Sequence, residues 1–134
     1  MDKIESARIA LITERLELTP EQAEKFWPLY REYTERRQEL RRQFLDARHQ
    51  IKKDHEISDE ESKKLIDKGL ELKEKQLALD RDYADKFNRV ITARQLLQLR
   101  KAEDDFRQML LERLEKRRET RDRLDRREER KNNE

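Results

Sequence analysis

Cysteine is absent, so the chain can form neither a disulfide nor a thiolate zinc site. Glycine occurs once and proline twice, too rarely for the tight turns of a β-rich fold and too rarely for a glycine loop that cradles phosphate. The materials of catalysis are equally scarce: no cysteine, Ser only at Ser6, Ser58 and Ser62, two histidines, and no triad in prospect. An enzyme is therefore not expected. Excess charge of one sign is also lacking, because 34 Lys and Arg face 32 Asp and Glu, and no strong positive field attracts nucleic acid. The opening MDKIESARIA has neither the basic start nor the apolar run of a signal peptide. If the protein is exported, its signal has been removed from this sequence.

What is present is charge and helical periodicity. With 49% charged and 33% hydrophobic residues, the chain is either helical or disordered. Disorder is disfavoured by apolar residues that recur at helical spacing as far as Leu114 and include Trp27, three Tyr and four Phe. Spread over long helices, one third apolar content makes thin stripes that a monomer covers only in part, so self-association is expected.

The punctuation of this charged text lies in LTPEQAEKFWPL, residues 18–29. Thr19 followed by Gln22 has the form of a capping box, and Pro20 falls at the first helical position, where its missing N–H costs nothing. Ser58 with Glu61 in SDEE, and Thr92 with Gln95 in ITARQ, mark two more helix starts. The spacing predicts an all-α protein of four helices, one short and three long, over about 2–17, 20–54, 58–90 and 92–118 or beyond. Short connections should fold the long helices back on one another as an antiparallel hairpin. Residues 1–115 then form a single helical domain, and 116–134 a charged helical extension or disordered tail.

The second helix carries a heptad seam of Ala23, Tyr30, Arg37, Phe44 and Ile51, with Phe26, Tyr33, Leu40 and Ala47 three further on. Pro28 lies inside it, and because the apolar spacing runs on through the proline, a kink is expected there rather than a new helix start. The third helix has Leu65, Leu72 and Leu79 on one line and Ile66, Leu70, Leu77, Ala84 and Phe87 on a neighbouring face, an arc wide enough for two partners. Superposing the two Thr-x-x-Gln joints aligns Leu18 with Ile91, Phe26 with Leu99 and Tyr33 with Phe106, which reads as a pseudo-repeat.

These joints carry a resemblance. Leu18-Thr19-Pro20-Glu21-Gln22 resembles the LTxxQ motif of the bacterial periplasmic Spy/CpxP family, whose members have two such motifs, and Ile91-Thr92-Ala93-Arg94-Gln95 is similar to a degenerate second copy. The surrounding ITERLELTPEQAEKFWPLYREY and LRKAEDDFRQMLLERL are similar to its branch labelled periplasmic sensors of heavy metals or of extracytoplasmic sigma factors. The resemblance spans about residues 2–115. It implies a thin, curved, elongated antiparallel homodimer in the periplasm, acting as an ATP-independent chaperone or an inhibitor of envelope-stress signalling. Ile91 in place of Leu and the charged tail depart from that pattern.

Three alternatives stand beside the chaperone: a signalling adaptor, a metal-responsive sensor and a purely structural coiled coil. A metal-responsive sensor needs ligands, yet His49 and His55 are about 120° apart on a helix and Asp46 offers the only carboxylate-x-x-His approach; no cofactor is expected. A nucleic-acid arm is countered by the carboxylates interleaved through EKRRETRDRLDRREERKNNE. A signalling adaptor, binding one sensor kinase or anti-sigma partner, fits the sequence as well as a chaperone does. Membrane insertion is not expected. The candidate binding strip is Arg37, Arg41, Phe44, Arg48 and Ile51, which share a face of the second helix: shallow apolar contacts would hold unfolded chains while Arg attracts acidic segments and stacks on aromatics. Its competitor is plain structure, with Arg37 and Arg41 pairing to Glu71 or Glu74.

Overall fold

A computed structural model describes residues 2–53 and 56–133. Among the described residues the fold is all-α, with four helices in the order expected: α1 Lys3–Leu16, α2 Pro20–Lys53, α3 Asp59–Asn88 and α4 Ala93–Asn132. No described helix is long and apolar enough to cross a membrane. Each helix start has a local cause. Asp2 caps α1 by accepting a 2.7 Å hydrogen bond from the Glu5 N–H. Ser58 does the same for α3 with the Glu61 N–H at 3.2 Å, and Asp59, Glu60 and Glu61 fill its first turn, where negative charge meets the positive end of the helix dipole.

The end of α1 is set by Glu17, which adopts φ 48° and ψ 50°, the left-handed conformation that glycine usually supplies at this place. Its N–H returns to the Thr13 carbonyl at 3.3 Å. Leu18 and Thr19 then carry the chain into α2, which runs without interruption through Pro28. That continuity agrees with the unbroken apolar spacing on either side of the proline.

The helices group into two compact units, residues 1–17 with 97–134 and residues 18–96. In the first, Ile12, Leu16, Leu99, Ala102 and Phe106 are buried. Here Arg15 bonds Asp105 at 2.9 Å, and the Arg8 guanidinium lies 5.6 Å from the centre of the Phe106 ring. The apolar pattern then runs out, and every described residue after Leu110 is exposed. The helix persists nonetheless to Asn132. Arg, Glu, Lys and Leu are good helix formers, and propensity rather than packing accounts for this stretch.

The second unit is an antiparallel hairpin of α2 on α3. As residue numbers rise along α2 they fall along α3: Phe26 meets Phe87 with ring centres 5.5 Å apart, and Tyr33 stacks on Tyr83 at 4.9 Å. Trp27 and Tyr30 extend this aromatic cluster on the α2 side, their rings 4.9 Å and 5.6 Å from Phe26. The Tyr33 hydroxyl donates to Asp80 at 2.6 Å, and the Gln76 amide donates to the same carboxylate oxygen at 3.0 Å. Tyr83 is fully buried, with Arg36 and Lys86 over its ring at 5.8 Å and 4.6 Å. Its hydroxyl meets no partner within hydrogen-bond geometry among the described residues. Burial first, and then the nearby Glu32 carboxylate, push its pKa up to about 12.

Candidate functional site

Two places in the hairpin unit gather the residues singled out in the sequence. The first is the pair of joints. At α2 the Gln22 N–H donates to the Thr19 hydroxyl at 3.1 Å, while the Gln22 side-chain oxygen accepts from the Thr19 N–H at 3.1 Å. At α4 the same box closes at 3.1 Å and 2.9 Å between Thr92 and Gln95. Both boxes are therefore complete in both directions. Leu18 is half-buried and Ile91 fully buried beside their exposed threonines, so the aliphatic residue that introduces each joint anchors it.

The fold also brings the boxes together. Gln22 Nε2 donates to Gln95 Oε1 at 2.9 Å, and Gln95 Nε2 donates to Gln22 Oε1 at 3.1 Å, although 73 residues separate them. Each amide oxygen thus accepts from its own threonine N–H and from the opposite amide, which fills both lone pairs. Capping boxes accept Glu or Gln at this position, but a carboxylate has no proton to give across the pair. The pairing explains why both joints end in Gln. It was not foreseen from the residues, although the superposition of the two joints, which sets Gln22 on Gln95, was the signal that held it.

The second place is the strip on α2. Arg37 and Phe44 are half-buried, whereas Arg41, Arg48 and Ile51 are exposed. The Arg37 guanidinium stacks over the Tyr33 ring at 4.3 Å, so the residue that interrupts the heptad seam still covers an aromatic neighbour. Glu71, named as a competing partner, bonds Lys75 at 3.2 Å and Lys68 at 3.8 Å on its own helix. The Lys75 bond, then the charge of Lys68, hold its carboxyl below the usual range. Arg41 and Arg48 form no ion pair among the described residues, and neither does Glu74.

Around the strip the apolar surface is open. Leu45, Ile51, Ile66, Leu70 and Leu77 are between 47% and 62% exposed. Along α2 from Arg37 onward and α3 as far as Gln76, Leu72 is the only buried residue among those described. This half of the hairpin can therefore offer shallow apolar contact flanked by mobile cations. His49 is exposed on α2, and His55 lies outside the described residues. No family model, curated protein or solved structure matches the chain.

Proposed function

We propose that the chain is a homodimeric, ATP-independent chaperone or envelope-stress protein of the periplasm, holding unfolded or partly folded proteins on the strip formed by Arg37, Arg41, Phe44, Arg48 and Ile51. One observation carries this proposal. Exposed Leu45 and Ile51 lie on the same stretch of α2 as Arg41 and Arg48, which no carboxylate of the chain neutralises among the described residues. A hydrophobic surface ringed by arginines suits partners that are apolar and variable: the apolar contacts are undirected, and the guanidinium accepts carboxylates, aromatic faces and backbone carbonyls alike. Binding of this type needs no cofactor and no turnover. The likeness of the two joints to LTxxQ motifs supports the periplasmic location.

The test is suppression of aggregation with two unrelated client proteins, one thermally and one chemically unfolded. Protection of both at a few-fold molar excess is the expected result. Protection of neither, together with tight binding to a single signalling protein, would replace the chaperone by a dedicated adaptor.

A further inference from the structure

α4 runs on to Asn132 with every described residue after Leu110 exposed. Along the sequence its charges are interleaved, but on a helix turning about 100° per residue they separate. Arg113, Lys116, Arg123, Arg127, Arg130 and Lys131 fall within about 100° of arc, in a stripe about 27 Å long that also holds Thr120 and Leu124. Glu115, Glu119, Asp122, Asp125 and Glu129 centre about 130° away, with Arg118 and Arg126 among them. Only Glu112 enters the basic stripe, at its foot. Within the stripe like charges stack three or four residues apart, Arg123 on Arg127 and Arg127 on Arg130 and Lys131, an arrangement that destabilises an isolated helix. None of the six cations forms an ion pair among the described residues. A helix that carries this repulsion unrelieved points to an anionic partner.

We propose that this stripe lays the end of α4 along a lipid surface rich in anionic headgroups, independently of the client-binding strip on α2. The near balance of charge does not oppose it. A helix is about 10–12 Å across, and at physiological ionic strength charges beyond about 8 Å are screened, so a surface on the basic side meets the cations and little of the carboxylates. Clusters of about four to eight Lys and Arg on one helix suit an anionic bilayer, and guanidinium forks fit phosphate oxygens. Leu124 is the one apolar side chain in the stripe, and no described helix is long and apolar enough to cross a membrane, so the contact stays at the headgroups. Other polyanions fit less well. In a duplex groove the carboxylate side would face phosphate too, whereas a bilayer lies on one side only. Single-stranded nucleic acid stacks on aromatic platforms, and no aromatic residue follows Phe106. An acidic protein closes on an apolar centre, which one leucine does not supply.

Co-sedimentation of the whole chain with vesicles is the test. Vesicles of neutral phosphatidylcholine should leave the chain in solution. Vesicles containing about a third phosphatidylglycerol should carry it down at about 50 mM salt and release it at about 500 mM, as the screening length shortens. Arg123→Glu with Arg127→Glu should lower the partition coefficient by about tenfold or more. Arg118→Glu with Arg121→Glu makes the same change of net charge on the side away from the stripe, and should lower it by less than about twofold. All these residues are exposed, so the helical circular dichroism of both variants should match that of the parent. Equal losses from the two pairs would mean that net charge rather than the stripe drives binding, and would overturn the proposal. So would a parent that ignores anionic vesicles at low salt, whether it then binds duplex DNA, an acidic protein or neither.

Discussion

The two halves of the α2–α3 hairpin use the same helices and similar spacing, yet they are packed differently. Near the joints Phe26, Tyr30, Tyr83, Phe87 and Ile91 are buried, rings stack on rings, and the Gln22–Gln95 amides close the end. Beyond Arg37 only Leu72 reaches that degree of burial among the described residues, while Leu45, Ile51, Ile66 and Leu70 remain open. Burying a large apolar side chain contributes about 1.5–3 kcal/mol, so the joint half carries most of the folding energy. The other half buries less apolar surface and leaves Leu45, Ile51, Ile66 and Leu70 open.

Phe87→Ala should have the largest effect, a loss of about 3–5 kcal/mol in urea unfolding, because a cavity opens against Phe26 and Tyr33. Phe44→Ala, half-buried in the other half, should lose less than half as much. Equal losses would show that the two halves are equally well packed in solution and would dissolve the contrast.

Next in size is the paired substitution Gln22→Glu with Gln95→Glu. Either Glu alone fits a capping box, so the single changes should cost only about 1 kcal/mol, whereas the double change removes both cross-joint donors and sets two carboxylates together. The expected loss is about 2–4 kcal/mol at neutral pH. Mutual repulsion raises the folded-state pKa of the pair above its unfolded value. The penalty is therefore full above the raised folded-state pKa and shrinks as pH falls toward the ordinary carboxylate range. A double variant equally unstable at pH 4 and pH 7, relative to the parent, would remove charge from the explanation.

Two changes near 1 kcal/mol, of opposite sign, probe the joint half more finely. Thr19→Ala deletes one cap and should lose about 1 kcal/mol. Tyr83→Phe should gain up to about 1 kcal/mol, since it removes a buried hydroxyl without a partner and keeps the ring stacked on Tyr33. If Tyr83→Phe is instead destabilising in thermal melts, that hydroxyl bonds the nearby Glu32 carboxylate in solution.

The features legible in the residues were those decided within a few positions of chain. An N-cap needs one side chain and one N–H a few residues away, so Thr19, Ser58 and Thr92 announced three helix starts to within a residue or so. The apolar repeat likewise carried α2 across Pro28. What could not be read depends on chain far away or on a conformation the residue type disfavours. Glu17 takes a left-handed turn that its side chain does not advertise, Asp80 receives Tyr33 from the other helix, and Gln22 meets Gln95. Arg37 looked like a fault in the seam because heptad patterns count apolar side chains, whereas a guanidinium stacked on Tyr33 covers an aromatic face as well. The candidate strip was legible as a pattern, but only burial separated half-sunk Arg37 and Phe44 from open Arg41, Arg48 and Ile51.

The smallest effect on stability should come with the greatest effect on function. Leu45 and Ile51 are each about half exposed, so replacing both by serine removes little that is buried, and surface changes of this kind usually stay within about 0.5 kcal/mol. Serine is also tolerated within a long helix at modest cost. If these residues serve clients, the double variant should melt within a few degrees of the parent and yet lose most of its protection of an aggregating protein. Arg41→Gln with Arg48→Gln should behave in the same way toward acidic clients and retain protection of basic ones, because only the charge attraction is removed. Light scattering of one acidic and one basic client, run with parent and both variants, separates the two contributions. Full protection by Leu45→Ser with Ile51→Ser would mean that the open apolar surface of this half does not hold clients, and the contrast between the halves would then concern stability alone.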